Sequence, residues 1–322
     1  MKIAIVDNIR LKQSLSFLYR SIIFIIILFV LDFAIGNILK YYFFSQKSGF
    51  YYRTTYSIEN TKADVLIFGA SKANHQFYPE IFEKRLNLTY YNVGRDGSSI
   101  FYHYAILKSV LKRYLPKVII LDITREFERK QSSYDRISML LPYYNRHPEF
   151  LPIIELKSRY EKLKLNSKIY PYNSLVFSII SGNSKSSINN NQDIKGYIPL
   201  YNVWNEPIRK SKSPGGDDID STKIIFFESF IKDCVKSNIK LYIIVSPDYI
   251  KYEDSDRANS FAKQIALKYD IKFYDFSQDS LFLNNGRYFA DLSHLNNDGA
   301  KVFSNLVVDK IVPDYQNYFS EH

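Results

Sequence analysis

Cysteine, glycine and proline are scarce in this chain of 322 residues, which has a single cysteine, Cys234, and 11 each of glycine and proline. One cysteine cannot form an intramolecular disulfide, and it leaves no cysteine cluster for a zinc or iron–sulfur site. So few glycines and prolines exclude collagen-like and linker-dominated architectures. Because 46% of the residues are hydrophobic and 16% are aromatic, the composition is that of a folded protein with a large core.

A continuous basic stripe is also missing. The chain has 43 lysine and arginine residues against 33 acidic ones, a formal charge of +10, but the cations are interspersed with acidic side chains. This pattern argues against a nucleic-acid partner. His103 and His147 have no carboxylate partner at metal-ligand spacing, so the sequence predicts no metal and no cofactor.

The N-terminal region contains one long apolar run. Residues 21–39 are almost wholly apolar, and the run reaches back to Leu15 if Arg20 extends its guanidinium to the interface. A bilayer core of about 30 Å needs about 20 helical residues, so we expect residues 21–40 to form a transmembrane anchor. Asp32 is the exception in the run, and it lies near enough to the outer end to reach the interface.

The charges before the run predict its orientation. They are four cations and one carboxylate: Lys2, Arg10, Lys12, Arg20 and Asp7. The positive-inside rule keeps residues 1–20 cytoplasmic and places the main domain outside, in the periplasm or at the cell surface. A buried core helix and a cleaved signal peptide are the alternatives. The run has no amphipathic face, which disfavours the first, and no small-x-small cleavage site follows it, which disfavours the second.

Alternating strand and helix patterns follow. Short apolar runs that close on Gly, Asp or Ser occupy residues 64–68, 90–93, 117–121, 241–245 and 271–274. Helical patterns occupy residues 79–86, 99–114, 221–238, 255–269 and 298–310. This alternation predicts an α/β fold, a doubly wound parallel sheet covered by helices on both faces. Ligands of such sheets bind at the carboxyl ends of the strands.

Residues 125–220 interrupt this alternation. They include eight tyrosines and Trp204, and they show no clean period. A structureless loop of this length is improbable inside a compact domain, so we interpret the stretch as an insertion that caps the strand ends. Its tyrosines could stack on sugar rings or pack the insertion against the sheet. The predicted organisation is the anchor, a connector at 41–62, and a domain at 63–322 that carries the insertion.

Two segments carry residues suited to nucleophilic catalysis. Gly69-Ala70-Ser71 places a serine on the turn after the first strand, with its own N–H directed into the same space. Near the other end of the chain, Asp291 precedes His294 by three residues, a spacing at which a carboxylate can hold the imidazole in the tautomer that accepts a proton from serine. Ser71 could instead cap the helix after it, and His294 could bind a loop carbonyl.

These pieces resemble a known family. Gly69-Ala70-Ser71, Asn92-Val93-Gly94 and Asp291-x-x-His294 stand in the order of the first, second and fifth blocks of the SGNH, or GDSL-like, hydrolase superfamily. The resemblance covers residues 63–308 apart from the insertion. It implies a flavodoxin-like α/β/α sandwich with Ser71 as nucleophile, His294 as general base and Asp291 as its orienting partner. It also implies that the Gly94 N–H donates to the oxyanion beside that of Ser71.

The third block of the family, Gly-x-Asn, is missing from this chain. Residues 121–125, which follow the third predicted strand, read Leu-Asp-Ile-Thr-Arg. An oxyanion hole without its side-chain donor loses about 3 kcal/mol of transition-state stabilisation. Asn74 and Arg125 are the nearest candidates to replace that donor. Two further polar residues lie close in sequence: His75 could line the pocket or face the sheet, and Asp96 could shape the turn or contact substrate.

The resemblance and the predicted anchor together suggest a function. We expect a membrane-anchored, extracytoplasmic serine acyl hydrolase or O-acyltransferase that acts on ester groups of envelope or exported polysaccharide through an acyl-serine intermediate. Membrane proteins of polysaccharide export or acyl transfer are the expected protein partners. The alternative is a non-catalytic glycan-binding or scaffold protein of a polysaccharide assembly system that retains the fold.

Overall fold

A parallel sheet forms the centre of the protein. The computed structural model describes residues 2–124, 126–189, 192–213, 219–254 and 256–321. Its strands are β1 (Val65–Phe68), β2 (Tyr90–Asn92), β3 (Val118–Asp122), β4 (Arg209–Ser211), β5 (Lys240–Val245), β6 (Ile250–Tyr252) and β7 (Lys272–Asp275). Within the described ranges, the central sheet has five strands in the order β2-β1-β3-β5-β7, and β4 pairs with β6 in a second, two-stranded sheet. All pairs are parallel.

Helices precede, cover and interrupt the sheet. They are α1 (Lys2–Phe44), α2 (Gly49–Glu59), α3 (Ser71–Gln76), α4 (Pro79–Leu86), α5 (Ile100–Leu111), α6 (Gln131–Asp135), α7 (Leu151–Ile154), α8 (Glu161–Lys164), α9 (Val176–Gly182), α10 (Lys185–Asn189), α11 (Ser221–Lys236), α12 (Arg257–Lys268), α13 (Ser280–Leu283) and α14 (Asn297–Glu321). Four short 3-10 helices lie among the described residues: Arg136–Tyr143, Pro148–Phe150, Tyr170–Leu175 and Gly286–Tyr288.

Side chains of the strands alternate between two apolar layers. Leu66 and Ile119 pack with α5, α11 and α12 on one face of the sheet. Ile67 and Ile120 pack with α3, α4 and α14 on the other face. Because both faces are covered, β1 and β3 are buried along their whole length, which explains why they appear in the sequence as continuous apolar runs. The predicted α/β class, with a parallel sheet between helical layers, is confirmed.

The register brings the carboxyl ends of the strands to one edge. Val65 lies opposite Tyr90 of β2 and Val118 of β3, and Leu121 lies opposite Ile243 of β5. The turns that follow β1, β3 and β5 are therefore neighbours in space. This is the edge at which the sequence predicts a ligand site.

The insertion divides its contacts among three regions. Residues 126–136 border the carboxyl ends of the strands. The segments from Arg136–Tyr143 to α9 pack on α1, α2 and α5. Residues 195–198 run beside the edge strand, where the Asn92 N–H donates to Lys195 O at 2.9 Å. Only part of the insertion thus lies over the strand ends, where the sequence predicts a cap.

The N-terminal helix α1 carries the apolar run. Within the part of the chain that the structure describes, its residues Lys12–Phe44 are the one stretch of helix long and apolar enough to cross a membrane. Most of the side chains in this stretch are exposed, which contradicts the alternative of a buried core helix. The predicted connector at 41–62 contains the end of α1 and then α2, which packs against α5 and α9.

Candidate active site

The turn after β1 places Ser71 at the edge of the sheet. Gly69 has a φ of +146°, a conformation that favours glycine. A Cβ at this position would lie 2.7 Å from Ala73 Cβ and 2.9 Å from Asp122 Cβ, so the close approach also requires glycine. Helix α3 begins directly afterwards, at Ser71. The serine hydroxyl therefore stands above the carboxyl end of β1.

Ser71, His294 and Asp291 form one hydrogen-bonded chain. Ser71 Oγ lies 2.7 Å from His294 Nε2. On the other side of the ring, His294 Nδ1 lies 2.9 Å from Asp291 Oδ2 and 3.1 Å from Oδ1. The Asp291 carboxylate accepts a hydrogen bond from the Nδ1–H of His294. The lone pair of Nε2 therefore faces the serine hydroxyl. The structure thus brings together the three residues that the sequence predicts as a triad.

The loop before α14 holds Asp291 in its ionised form. Asp291 Oδ1 also accepts the N–H of Ser293 at 2.7 Å and the N–H of His294 at 2.9 Å. Partial burial by itself raises the pKa of Asp291, but the hydrogen bonds from the His294 ring and the Ser293 amide outweigh it and lower the pKa to about 2. The carboxylate therefore stays charged at neutral pH and can stabilise an imidazolium.

A polar cavity of about 290 Å³ opens beside Ser71 and His294. Among the described residues that line it, Ala70 is the one alkyl side chain. The other side chains are mostly hydroxyl-bearing or charged, and they include Ser98, Ser99, Thr124, Glu126, Lys130, Ser132, Ser133, Arg136 and Lys223. Such a lining suits a polar substrate.

The backbone N–H groups at the cavity differ from those that the family resemblance implies. The N–H of Gly94 donates to Asn92 Oδ1 at 2.9 Å, and Gly94 does not line the cavity. Gly97 does line it, with a φ of +68°. Among the described residues, the Gly97 N–H has no acceptor, while its carbonyl accepts from Arg136 Nη1 at 2.6 Å. Of these two glycines, Gly97 therefore combines a place in the cavity lining with a backbone N–H that has no acceptor among the described residues, and the second glycine of the same segment was its sequence signal.

Asn74, one of the two predicted side-chain donors, does not lie in the cavity. Asn74 is fully buried and does not line it. Its Oδ1 accepts from Arg53 Nη1 at 2.7 Å, and its Nδ2 donates to Asp96 Oδ1 at 2.7 Å. The amide is thus committed to a structural role, which the sequence could not show because Arg53 is distant in the chain. Arg125 lies outside the described residues.

A carboxylate stands at the end of β3, where the family has its third block. Asp122 is buried, accepts the Thr124 N–H at 2.9 Å, and accepts the Ser246 hydroxyl. Burial raises its pKa, opposed by the charge of Lys72. The Lys72 ammonium is itself paired with Asp248 Oδ1 at 2.6 Å. At this position the cavity therefore has a carboxylate and not an amide donor.

A second polar network lies beside His294. The His75 ring lies 5.8 Å from the His294 ring, centroid to centroid, in an edge-to-face arrangement. His75 Nδ1 lies 2.7 Å from Ile198 O, and His75 Nε2 lies 3.2 Å from Asp96 Oδ1. Burial raises the pKa of Asp96, but the hydrogen bond from His75 contributes to a net lowering. The chain Arg53–Asn74–Asp96–His75 therefore connects α2 to the side of the triad.

Comparisons with known proteins add little to this geometry. No family model matches the chain, and no curated protein matches it. Fourteen chains in solved structures do match. One is a crystal structure of a "putative acylhydrolase" from Bacteroides fragilis NCTC 9343, with a TM-score of 0.40 and 12% identity over 80% of this chain and 95% of that one. A likeness this weak carries no functional argument.

Proposed function

We propose that this protein is a membrane-anchored, extracytoplasmic serine acyl hydrolase or O-acyltransferase of the SGNH type. The observation that carries the proposal is the hydrogen-bonded chain from Ser71 Oγ through the His294 ring to Asp291, with distances of 2.7 and 2.9 Å. A nucleophile, a base and an orienting carboxylate in this arrangement are the groups that nucleophilic acyl transfer uses.

The geometry supports a two-stage reaction. His294 Nε2 takes the Ser71 proton as Oγ attacks the ester carbonyl, and the imidazolium is stabilised by Asp291. The backbone N–H groups of Ser71 and Gly97 donate to the oxyanion. The C–O bond to the leaving group then breaks, and His294 returns its proton to the departing alkoxide. Water or a sugar hydroxyl next attacks the acyl-serine, and the same histidine acts again as base and then acid.

The proposed oxyanion hole has one donor fewer than that of a complete family member. It has two backbone N–H groups, whereas the complete hole has two backbone N–H groups and one side-chain amide. Loss of one such donor reduces the rate by about 10²- to 10³-fold. We therefore expect turnover to be slow compared with complete members of the family.

The cavity favours a short acyl group on a polar acceptor. Its volume of about 290 Å³ and its hydroxyl- and cation-bearing lining suit a small polar group better than a fatty acyl chain. An ester such as acetyl on a sugar hydroxyl fits this chemistry. Together with the apolar helix α1, this supports envelope or exported polysaccharide as the substrate and membrane proteins of export or acyl transfer as partners.

Hydrolysis of p-nitrophenyl esters tests the activity. We expect the full chain to hydrolyse the acetate and to show little activity on the octanoate. Ser71→Ala should abolish the acetate reaction, whereas Ser132→Ala, which removes another hydroxyl that lines the cavity, should retain it. Equal activity of the wild-type protein and Ser71→Ala would contradict the proposal.

The orientation has its own test. Four cationic residues before the apolar run favour a cytoplasmic N-terminus. A reporter that is active only outside the cytoplasm, fused after His322, should be active in cells. A cytoplasmic signal would refute both the orientation and the envelope substrate.

The non-catalytic alternative rests on two specific observations. Asp122 stands at the end of β3 in place of an amide donor, and the Gly94 N–H is occupied by Asn92. A protein that binds glycan without catalysis would tolerate both features. It would bind an acetylated oligosaccharide equally well with Ser71→Ala, and it would hydrolyse no ester.

A further inference from the structure

Asp32 of α1 is bound by the insertion. Its carboxylate accepts hydrogen bonds from Ser167 Oγ at 2.5 Å, the Lys168 N–H at 2.7 Å and the Ile169 N–H at 3.2 Å. Gly36, one turn further along α1, lies so close to the Lys168 backbone that an added Cβ would overlap it. The insertion therefore packs directly on the apolar helix.

This contact lies inside the apolar run. A helix rises 1.5 Å per residue, so Asp32 is about 10 Å along α1 from Leu39, where the run ends. If the run crosses a bilayer with Leu39 at the outer limit of the hydrocarbon core, residues 167–169 lie about 10 Å below that limit. The insertion then enters the outer leaflet at this point and is not suspended above the membrane.

A second contact fixes the insertion further along the same helix. Asn183 Nδ2 donates to Tyr42 O at 2.9 Å, and just past α1 the Lys47 N–H donates to Gly182 O at 3.0 Å. The 3-10 segment Tyr170–Leu175 and α9 connect the two contacts, and both pack on α1. Helix α8 is joined to them because Tyr170 Oη donates to Glu161 Oε2 at 2.6 Å. These segments therefore follow α1 from Asp32 to its outer end.

Large apolar side chains and lysines are among the exposed residues of these segments and of α10, which follows α9. Phe177 is 87% exposed, Leu163 is 68% exposed and Ile180 is 63% exposed, so most of their surface has no protein contact. Exposed lysines on the same segments are Lys162, Lys164, Lys168 and Lys185. We refer to these three apolar residues and four lysines as the interfacial patch. Large apolar side chains among lysines are typical of surfaces that enter the headgroup region of anionic bilayers.

We propose that the interfacial patch rests on the outer surface of the bilayer, with Phe177, Leu163 and Ile180 among the lipids and the lysines on anionic headgroups. The inference rests on the membrane anchorage in the proposed function. We favour lipid as the partner of the patch because the segments that carry it pack on α1, which itself contacts lipid. The hydrogen bonds to Asp32 hold these segments at the level of the bilayer. The domain would then have a fixed orientation on the membrane.

Site-specific labelling of the full chain tests this contact. The native Cys234 is fully buried, so a cysteine introduced on the surface can be labelled selectively, with the wild-type chain as background. Phe177→Cys carries a fluorophore on the patch, and Leu267→Cys on α12, where Leu267 is 64% exposed, is the matched control. Ile26→Cys reports on the anchor. Each protein is reconstituted into vesicles of phosphatidylglycerol and phosphatidylcholine that contain nitroxide-labelled lipid.

We expect nitroxide-labelled lipid to quench the fluorophores at positions 177 and 26. We expect aqueous iodide to quench the fluorophore at position 267. If iodide quenches the label at 177 as it quenches the label at 267, while nitroxide still quenches at 26, the patch inference fails and the anchorage stands. If nitroxide fails to quench at 26, the anchorage itself fails and the inference falls with it. A label at 177 shielded from both quenchers would overturn the inference in favour of protein covering the patch.

Discussion

His294 Nε2 lies 2.7 Å from Ser71 Oγ, although 223 residues separate the two in the chain. The contact depends on two elements that meet across the sheet edge. Ser71 begins α3, His294 lies just before α14, and α14 packs on α3. The relative position of nucleophile and base is therefore set by the same apolar layer that covers one face of the sheet.

Replacing Asp291 with asparagine should lower kcat by roughly 10²- to 10⁴-fold, because an amide no longer holds His294 in the tautomer that accepts the Ser71 proton. The measurement is p-nitrophenyl acetate hydrolysis by Asp291→Asn. Asp298→Asn is the matched control, since Asp298 is an exposed carboxylate in the first turn of α14. Equal rates for the two variants would argue against an orienting role of Asp291.

The lowered pKa of Asp291 also predicts a pH dependence of stability. Its pKa falls from 3.8 to about 2 on folding, so the ionised carboxylate stabilises the protein above about pH 4. This stabilisation is lost as the pH falls through about 2. The difference in free energy of unfolding between the wild-type protein and Asp291→Asn should therefore narrow between pH 4 and pH 2. Denaturant unfolding at a series of pH values measures it, and a constant difference would contradict the assignment.

We expect Arg136 to position Gly97, whose N–H is a proposed oxyanion donor. Its guanidinium donates to the Gly97 carbonyl at 2.6 Å, so Arg136→Ala should let the Gly97 N–H drift from the oxyanion. We expect kcat and kcat/KM to fall together by about tenfold. Lys130→Ala, which removes another cation that lines the cavity, should change neither by more than about twofold. An effect of Arg136→Ala on KM alone would make Arg136 a substrate-binding residue instead.

Loss of Arg53 should destabilise the fold. Arg53 is 8% exposed and donates to Asn74 Oδ1 at 2.7 Å and to Gly196 O at 3.2 Å. Arg53→Ala leaves both buried acceptors without this donor, so we expect the free energy of unfolding to fall by about 1–3 kcal/mol. The exposed Arg159 provides the control, since Arg159→Ala should change the free energy of unfolding by less than about 0.5 kcal/mol. A similar, small change in both variants would contradict the structural role of Arg53.

The sequence predicts the sheet and the triad partners because both depend on local signals. Strands buried on both faces must be apolar along their length, so β1 and β3 could be located from composition alone. Ser71 and His294 each stand beside a turn motif, and the resemblance to the SGNH superfamily implies that they meet. Helix α3, with six residues, is too short for a periodic pattern to reveal it.

The remaining parts of the site depend on contacts between distant segments. Whether Gly94 or Gly97 donates to the cavity is decided by backbone conformation and by the Asn92 side chain, neither of which a glycine in a sequence reveals. The partner of Asn74 comes from α2, and the partners of Asp32 come from the insertion. Such pairings follow from packing, for which the sequence carries no local signal.

Covalent labelling of Ser71 tests the central claim most directly. A fluorophosphonate reacts with a serine only when its hydroxyl is activated, so the folded wild-type chain should gain one adduct, mapped by peptide mass spectrometry to Ser71. Labelling should be lost in Ser71→Ala, strongly reduced in His294→Gln, and retained in Ser132→Ala. An unlabelled wild-type protein, or an adduct that persists in Ser71→Ala, would contradict an activated serine at this site and would favour the non-catalytic alternative.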